Sequence, residues 1–99
     1  MAHTETQLAM LKVDLGLLTV TTEQTTYLGQ LLDTAQLRLQ DDGVTLTAGD
    51  AQHDQLVVMY AAWLYRKRAE DPQLTAMPKM LQLLRNSVLF GQKMAEAPE

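Results

Sequence analysis

Residues 56–65 decide the fold, and they read Leu-Val-Val-Met-Tyr-Ala-Ala-Trp-Leu-Tyr without one charged side chain. Projected at about 100° per residue, these side chains point in every direction around a helix axis. The segment is about half the roughly 20 residues that cross a bilayer as a helix. We therefore predict a soluble protein with one largely enclosed helix, part of which meets another chain because a small bundle rarely surrounds one of its members.

Helical signals continue on both sides of this segment. Thr4 and Gln7 have the spacing of a capping box, and Gly43 suits the left-handed turn that ends a helix. Residues 44–47 alternate apolar and polar side chains over too short a span for a sheet, so we expect an extended loop there. The predicted helices run over residues 5–15, from a cap at Thr21 or Thr22 to about Gln40, from Asp50 through residues 66–68, and from Pro78 to about Lys93.

The fold class predicted from these signals is all-α. We expect a compact bundle of about four helices, with the extended loop between the second and the third. The length of 99 residues suits one domain. That domain is predicted over residues 1–94, with a flexible tail over residues 95–99.

Composition excludes several classes of protein. The absence of cysteine rules out a disulfide scaffold, a thiolate zinc site and a cysteine nucleophile. A net charge of −4 argues against a protein whose main work is to grip phosphate backbones. Residues 1–7 are polar, with none of the basic and apolar stretches of a signal peptide.

The sequence predicts neither catalysis nor a cofactor. It contains no glycine-rich phosphate loop and no serine, histidine and carboxylate pattern, and Ser87, the sole serine, falls within a predicted helix. His53 follows Asp50 by three residues, but two ligands do not make a metal site, so we expect a solvated histidine. The carboxylates near it lack the spacing of a calcium loop, and we expect a solvated acidic surface. They are Asp41, Asp42, Asp50 and Asp54.

Two features allow both a structural and an intermolecular role. The basic residues 66–68 lie where positive charge stabilises a helix end, and Glu70 and Asp71 stand four residues after Arg66 and Lys67. The same arginines could bind carboxylates or phosphates of a partner. The aromatic residues of segment 56–65 pack in a core in one interpretation and anchor a subunit interface in the other.

Most of the chain resembles a known family, the small head–tail connector proteins of tailed bacteriophages and prophages. The resemblance spans roughly residues 8–93 and includes the opening Leu-Lys-Val-Asp-Leu-Gly of residues 11–16. Its strongest segments are Leu-Val-Val-Met-Tyr-Ala-Ala-Trp-Leu-Tyr-Arg-Lys-Arg at 56–68, Met-Pro-Lys-Met-Leu at 77–81 and Arg-Asn-Ser-Val-Leu-Phe-Gly-Gln-Lys at 85–93.

The resemblance implies an all-helical structural protein of the virion. Such adaptors form a ring of about a dozen copies on the portal by head-to-tail contacts. The ring extends the DNA channel, lets double-stranded DNA pass without specific binding, and joins the head to the next head-completion or tail protein. It is assembled in the bacterial host cytoplasm and involves no membrane. The residues implied in core or subunit contact are Tyr60, Trp63, Leu64, Tyr65, Arg66 and Arg68, with Arg85 and Lys93 on the last helix.

A different class of function stays open at this point. A small helical DNA-binding or regulatory module could use the basic residues 66–68 and Arg85 to contact phosphates. Against it stand the overall acidity and the lack of a recognition helix with exposed polar and basic residues.

Overall fold

Four helices account for most of the structure, and the all-α prediction is confirmed. The structure is a computed structural model, and it describes residues 4–17, 19–47, 49–67 and 77–96. No strand occurs among those residues. The helices are α1 (Glu5–Asp14), α2 (Thr22–Asp41), α3 (Ala51–Lys67) and α4 (Lys79–Glu96).

Capping boxes start the first two helices. The Thr4 hydroxyl accepts from the Gln7 N–H at 3.1 Å, and the Gln7 side chain accepts from the Thr4 N–H at 3.3 Å. Thr21 and Gln24 repeat both bonds at 3.1 and 2.8 Å, so Thr21 rather than Thr22 caps α2. Each box satisfies backbone donors that a helix start otherwise leaves without a partner.

The remaining helix ends also follow local signals. A carboxylate oxygen of Asp50 accepts from the N–H groups of Gln52 and His53 at 2.9 and 3.1 Å, which caps the start of α3. Gly43, with φ +98°, terminates α2 in the left-handed conformation that was predicted. At the other end of the chain, α4 continues to Glu96, beyond the end predicted near Lys93.

Helix α3 is the centre of the bundle. It packs against each of the other three helices, and α1 also packs against α2. Its side chains Leu56, Val57, Ala61 and Ala62 are almost completely inaccessible to solvent. The three neighbours therefore enclose α3 more fully than we expected from the size of the bundle.

The exposed apolar surface lies elsewhere, and this corrects the expectation that α3 presents it. None of the large apolar side chains that are exposed belongs to α3. Helix α4 carries most of them because it packs with one face on α3 and turns another outward. Among the described residues, the exposed large apolar side chains are Val13 on α1, Tyr27 and Leu37 on α2, and Met80, Leu83, Phe90 and Met94 on α4.

Residues 44–47 form the predicted extended loop and attach to α4. Val44 and Leu46 are buried, whereas Thr45 between them is exposed. The Thr45 N–H donates to Oε1 of Gln92 at 2.9 Å, and the Thr45 carbonyl accepts from Nε2 of the same side chain. One glutamine amide thus satisfies both groups of a backbone segment that lacks a strand partner.

Within the described part of the chain, no helix combines the length and the apolar character that a membrane span requires.

Candidate interaction surface

Helix α4 has two apolar faces. The inner face includes Leu81 and Val88, which are 1% and 6% exposed and belong to the core. The outer face is the candidate surface, and we call it the outer stripe. It consists of Met80, Leu83, Ser87, Phe90 and Met94, whose four apolar members are between 55% and 70% exposed.

The spacing of the outer stripe is that of a helix that packs on another helix. Its positions advance alternately by three and four residues from Met80 to Met94, as a and d positions do in a coiled coil. They fall within about 80° around the axis and extend about 21 Å along it. Lys79 and Lys93 lie on the same side of this stripe, one near each of its ends, and both are exposed.

A second apolar surface lies between α1 and α3, and we call it the α1–α3 groove. Its volume is about 460 Å³, and Val13 at its edge is 81% exposed. Asp14 and Gln55 supply its polar lining. The apolar lining consists of Ala9, Met10, Val13, Val58 and Met59.

Tyr60, one of the residues proposed for core or subunit contact, lies in the core. It is 5% exposed, and its ring forms a T-shaped pair with the Trp63 ring, at 5.3 Å between centroids and 79° between planes. Burial raises the pKa of the Tyr60 hydroxyl, Asp42 raises it further, and Arg38 and Arg85 act in the opposite direction. The phenol is therefore kept neutral in the folded chain.

The other α3 candidates are half-buried at the edge of the core. Trp63, Leu64 and Tyr65 all pack against core residues. Trp63 Nε1 is buried without a hydrogen-bond partner among the described residues, and the Lys67 ammonium lies 4.9 Å from the centre of the Trp63 ring. The Tyr65 ring lies 6.3 Å from that of Tyr27. These contacts occupy the three side chains within the monomer.

The basic candidates form ion pairs inside the chain. Arg66 lies 3.4 Å from the Asp14 carboxylate and also donates to the Asp14 carbonyl at 3.2 Å. Arg85 binds the Asp42 carboxylate at 3.3 Å. Both pairs remain partly open to solvent, so each contributes at most about 1 kcal/mol to stability. Arg68 lies outside the described residues, as do Glu70 and Asp71, the partners expected for Arg66 and Lys67.

Two polar residues near the start of α3 are buried, contrary to expectation. His53 is 9% exposed, and its Nδ1 accepts from the Thr47 N–H at 2.8 Å. Asp54 is 8% exposed and accepts from Nε2 of Gln7 at 2.9 Å. His53 was predicted to be solvated and Asp54 to belong to a solvated acidic surface, and both predictions are wrong. Packing of α1 and of residues 44–47 against α3 covers these side chains.

Among the described residues, no three His, Cys, Asp or Glu side chains gather closely enough to hold a metal ion.

The eight residues proposed for core or subunit contact do not form one patch, since Tyr60 is enclosed in the core whereas Lys93 lies on exposed α4 surface.

Sequence reasoning missed the outer stripe as a separate surface. Its signal was the width of the apolar arc on α4, which includes Leu81 and Val88 as well as Met80 and Phe90. An arc that wide exceeds the single face that a peripheral helix buries, so part of it must stay exposed.

Comparison of the chain with models of protein families, with curated proteins and with solved structures finds no significant match.

Proposed function

We propose that this chain is a head–tail connector subunit of a tailed bacteriophage or prophage. Copies assemble as a ring on the portal, extend the DNA channel, and present a platform for the next head-completion or tail protein. The site of action is the head–tail interface of the virion, after assembly in the host cytoplasm. The resemblance of residues 8–93 to such connectors supports this proposal, together with the surface of α4.

The observation that carries the proposal is the exposure of the outer stripe. Met80, Leu83, Phe90 and Met94 place four large apolar side chains on one line of a small domain. Apart from Ser87 between Leu83 and Phe90, these side chains form one exposed apolar patch, and the largest such patch of a domain is often an interaction site. A subunit of an assembly has a use for such a surface, because a neighbouring copy covers it.

Charge is consistent with a channel component. The net charge of −4 repels a passing phosphate backbone and so opposes sticking. The alternative, a DNA-binding or regulatory module, has less support because Arg66 and Arg85 are engaged by carboxylates of the same chain. A phosphate would have to compete with Asp14 and Asp42 for these guanidinium groups.

Light scattering coupled to size exclusion, over a rising series of protein concentrations, tests the proposal. We expect a discrete oligomer of about a dozen copies that negative-stain electron microscopy shows as a closed ring. Binding to random-sequence duplex DNA is measured in parallel at several salt concentrations. A chain that stays monomeric and binds duplex DNA with a steep salt dependence would refute the connector function and favour the DNA-binding module.

A further inference from the structure

We infer that the outer stripe of one copy docks into the α1–α3 groove of the next copy. The inference rests on the proposed function, since it names the two surfaces through which neighbouring subunits of the ring meet. Both surfaces belong to the same chain but share no residue, as a head-to-tail contact requires.

The shapes of the two surfaces fit this contact. The outer stripe is a single row of side chains at the spacing with which an amphipathic helix enters a groove. The α1–α3 groove runs between two helices, and packing a ridge of side chains between neighbouring ridges is the ordinary way that helices associate. Met10 and Met59 in its lining are unbranched and adapt to an incoming side chain, and Ala9 leaves room beside them.

The exposed area is sufficient for a specific contact. From the 55–70% exposure of its large side chains, the outer stripe presents on the order of 500 Å² of apolar surface. A standard interface takes about 800 Å² from each partner, including a polar rim. The outer stripe and its flanking residues therefore provide an apolar centre of the size that a stable interface needs.

Charge favours docking of the outer stripe into the α1–α3 groove over docking of two outer stripes on each other. Helix α4 contains Lys79, Arg85 and Lys93 but only one acidic residue, at its last position. Two outer stripes packed antiparallel would bring the Lys79 and Lys93 sides of both copies together, which is repulsive. Helix α1, one wall of the groove, has acidic residues near both of its ends and a single lysine. Asp14, the acidic residue of α1 that lines the groove, already pairs with Arg66 of the same chain, and no lysine or arginine is among the described residues that line the groove. The groove therefore receives the lysines of an incoming helix without the repulsion that a second outer stripe would cause.

The geometry of growth also follows from this pairing. When a stripe meets a groove, each subunit keeps one free stripe or one free groove for a further copy, so assembly continues until it closes. When a stripe meets a stripe, the contact consumes the same surface on both copies and assembly ends at a dimer.

Disulfide trapping tests the contact, and the chain suits it because it has no cysteine of its own. Val13→Cys and Phe90→Cys are prepared separately, mixed under mild oxidation, and compared with a mixture of Gln30→Cys and Phe90→Cys. All three positions are exposed, so thermal melts should match the wild type. Leu83→Cys provides a second stripe position if Phe90→Cys does not fold.

We expect the Val13 and Phe90 variants to cross-link at least about tenfold faster than the Gln30 and Phe90 control, because docking raises the local concentration of the two thiols. Equal rates in the two mixtures would overturn the inference. Preferential cross-linking of Phe90→Cys to itself would also overturn it, since that product requires two outer stripes in contact.

Electron microscopy separates this inference from the proposed function. Closed rings of wild-type chain without preferential Val13 to Phe90 cross-linking would refute the docking and leave the connector function standing. Preferential Val13 to Phe90 cross-linking, together with open filaments and no closed rings of the wild-type chain, would support the docking and count against the connector function.

Discussion

Gln7 on α1 donates from Nε2 to Oδ1 of Asp54 on α3, at 2.9 Å and across 47 positions of the sequence. Oε1 of the same glutamine accepts from Nε2 of Gln36 on α2 at 3.0 Å. All three side chains are buried. One polar network therefore joins three helices inside an apolar core, and its two bonds form only when the helices pack in this register. Oε1 of Gln36 is buried without a hydrogen-bond partner among the described residues.

Replacement of Asp54 by alanine should destabilise the bundle. The substitution removes the acceptor of the Gln7 amide and leaves a buried donor unsatisfied, which costs about 1–3 kcal/mol. Urea unfolding measured by circular dichroism gives the change in free energy. The matched control is Asp41→Ala, which removes an exposed carboxylate and should change stability by no more than about 0.5 kcal/mol. Equal stability of the two variants would show that the network contributes nothing.

Replacement of Gln92 by alanine should release residues 44–47 from α4. The backbone N–H and carbonyl of Thr45 lose their partner and become accessible to water, with a loss of about 1 kcal/mol per hydrogen bond. Hydrogen exchange of the Thr45 amide is the direct measurement, and we expect it to accelerate. In the control Gln30→Ala, which changes an exposed glutamine on α2, this amide should exchange at the wild-type rate.

Two glycine substitutions should act in opposite directions. Gly43→Ala places a side chain at φ +98°, which costs about 1–2 kcal/mol of backbone strain, although its Cβ would meet Leu89 only at an ordinary 3.6 Å. Gly91→Ala lies within α4 with open space around its Cβ and should stabilise the chain by about 0.5–1 kcal/mol. Thermal melts of both variants test this pair, and a stabilising Gly43→Ala would contradict the conformation assigned to that turn.

Alkaline pH should destabilise the chain through Tyr60. Burial raises the pKa of its hydroxyl in the folded state above the ordinary value. The stability that the neutral phenol contributes is complete below the unfolded pKa of about 10 and is lost as pH rises through the folded pKa. Unfolding free energies at about pH 9 and pH 11 should therefore fall less in Tyr60→Phe than in the wild type. Identical slopes would contradict a buried phenol.

The helix ends could be predicted from the sequence, whereas two buried polar side chains could not. Capping at Thr4 and termination at Gly43 are local, because the groups that decide them lie within a few residues. Burial of Asp54 depends on Gln7, and burial of His53 depends on the path of the chain at Thr47. The spacing of apolar residues within α3 does not predict the burial of these two side chains, because both of their partners lie outside the helix.

The sequence predicted surplus apolar surface, but it did not predict which helix exposes that surface. The apolar content of residues 56–65 indicated correctly that this helix needs many neighbours, and α3 obtains them from all three other helices. What remains exposed is decided by which element lies at the periphery. That element is α4, and the packing of Leu81 and Val88 in the core is what separates its outer stripe from its inner face.

The peripheral position of α4 has a consequence for the dynamics of the chain. Among the helices it packs extensively only on α3, so it can open locally at a lower free-energy cost than the rest of the bundle. A partner that covers the outer stripe holds both sides of this helix. Amide protection along α4 would therefore report occupancy of the stripe, and we expect the order of the last helix to increase if copies of the chain assemble as proposed.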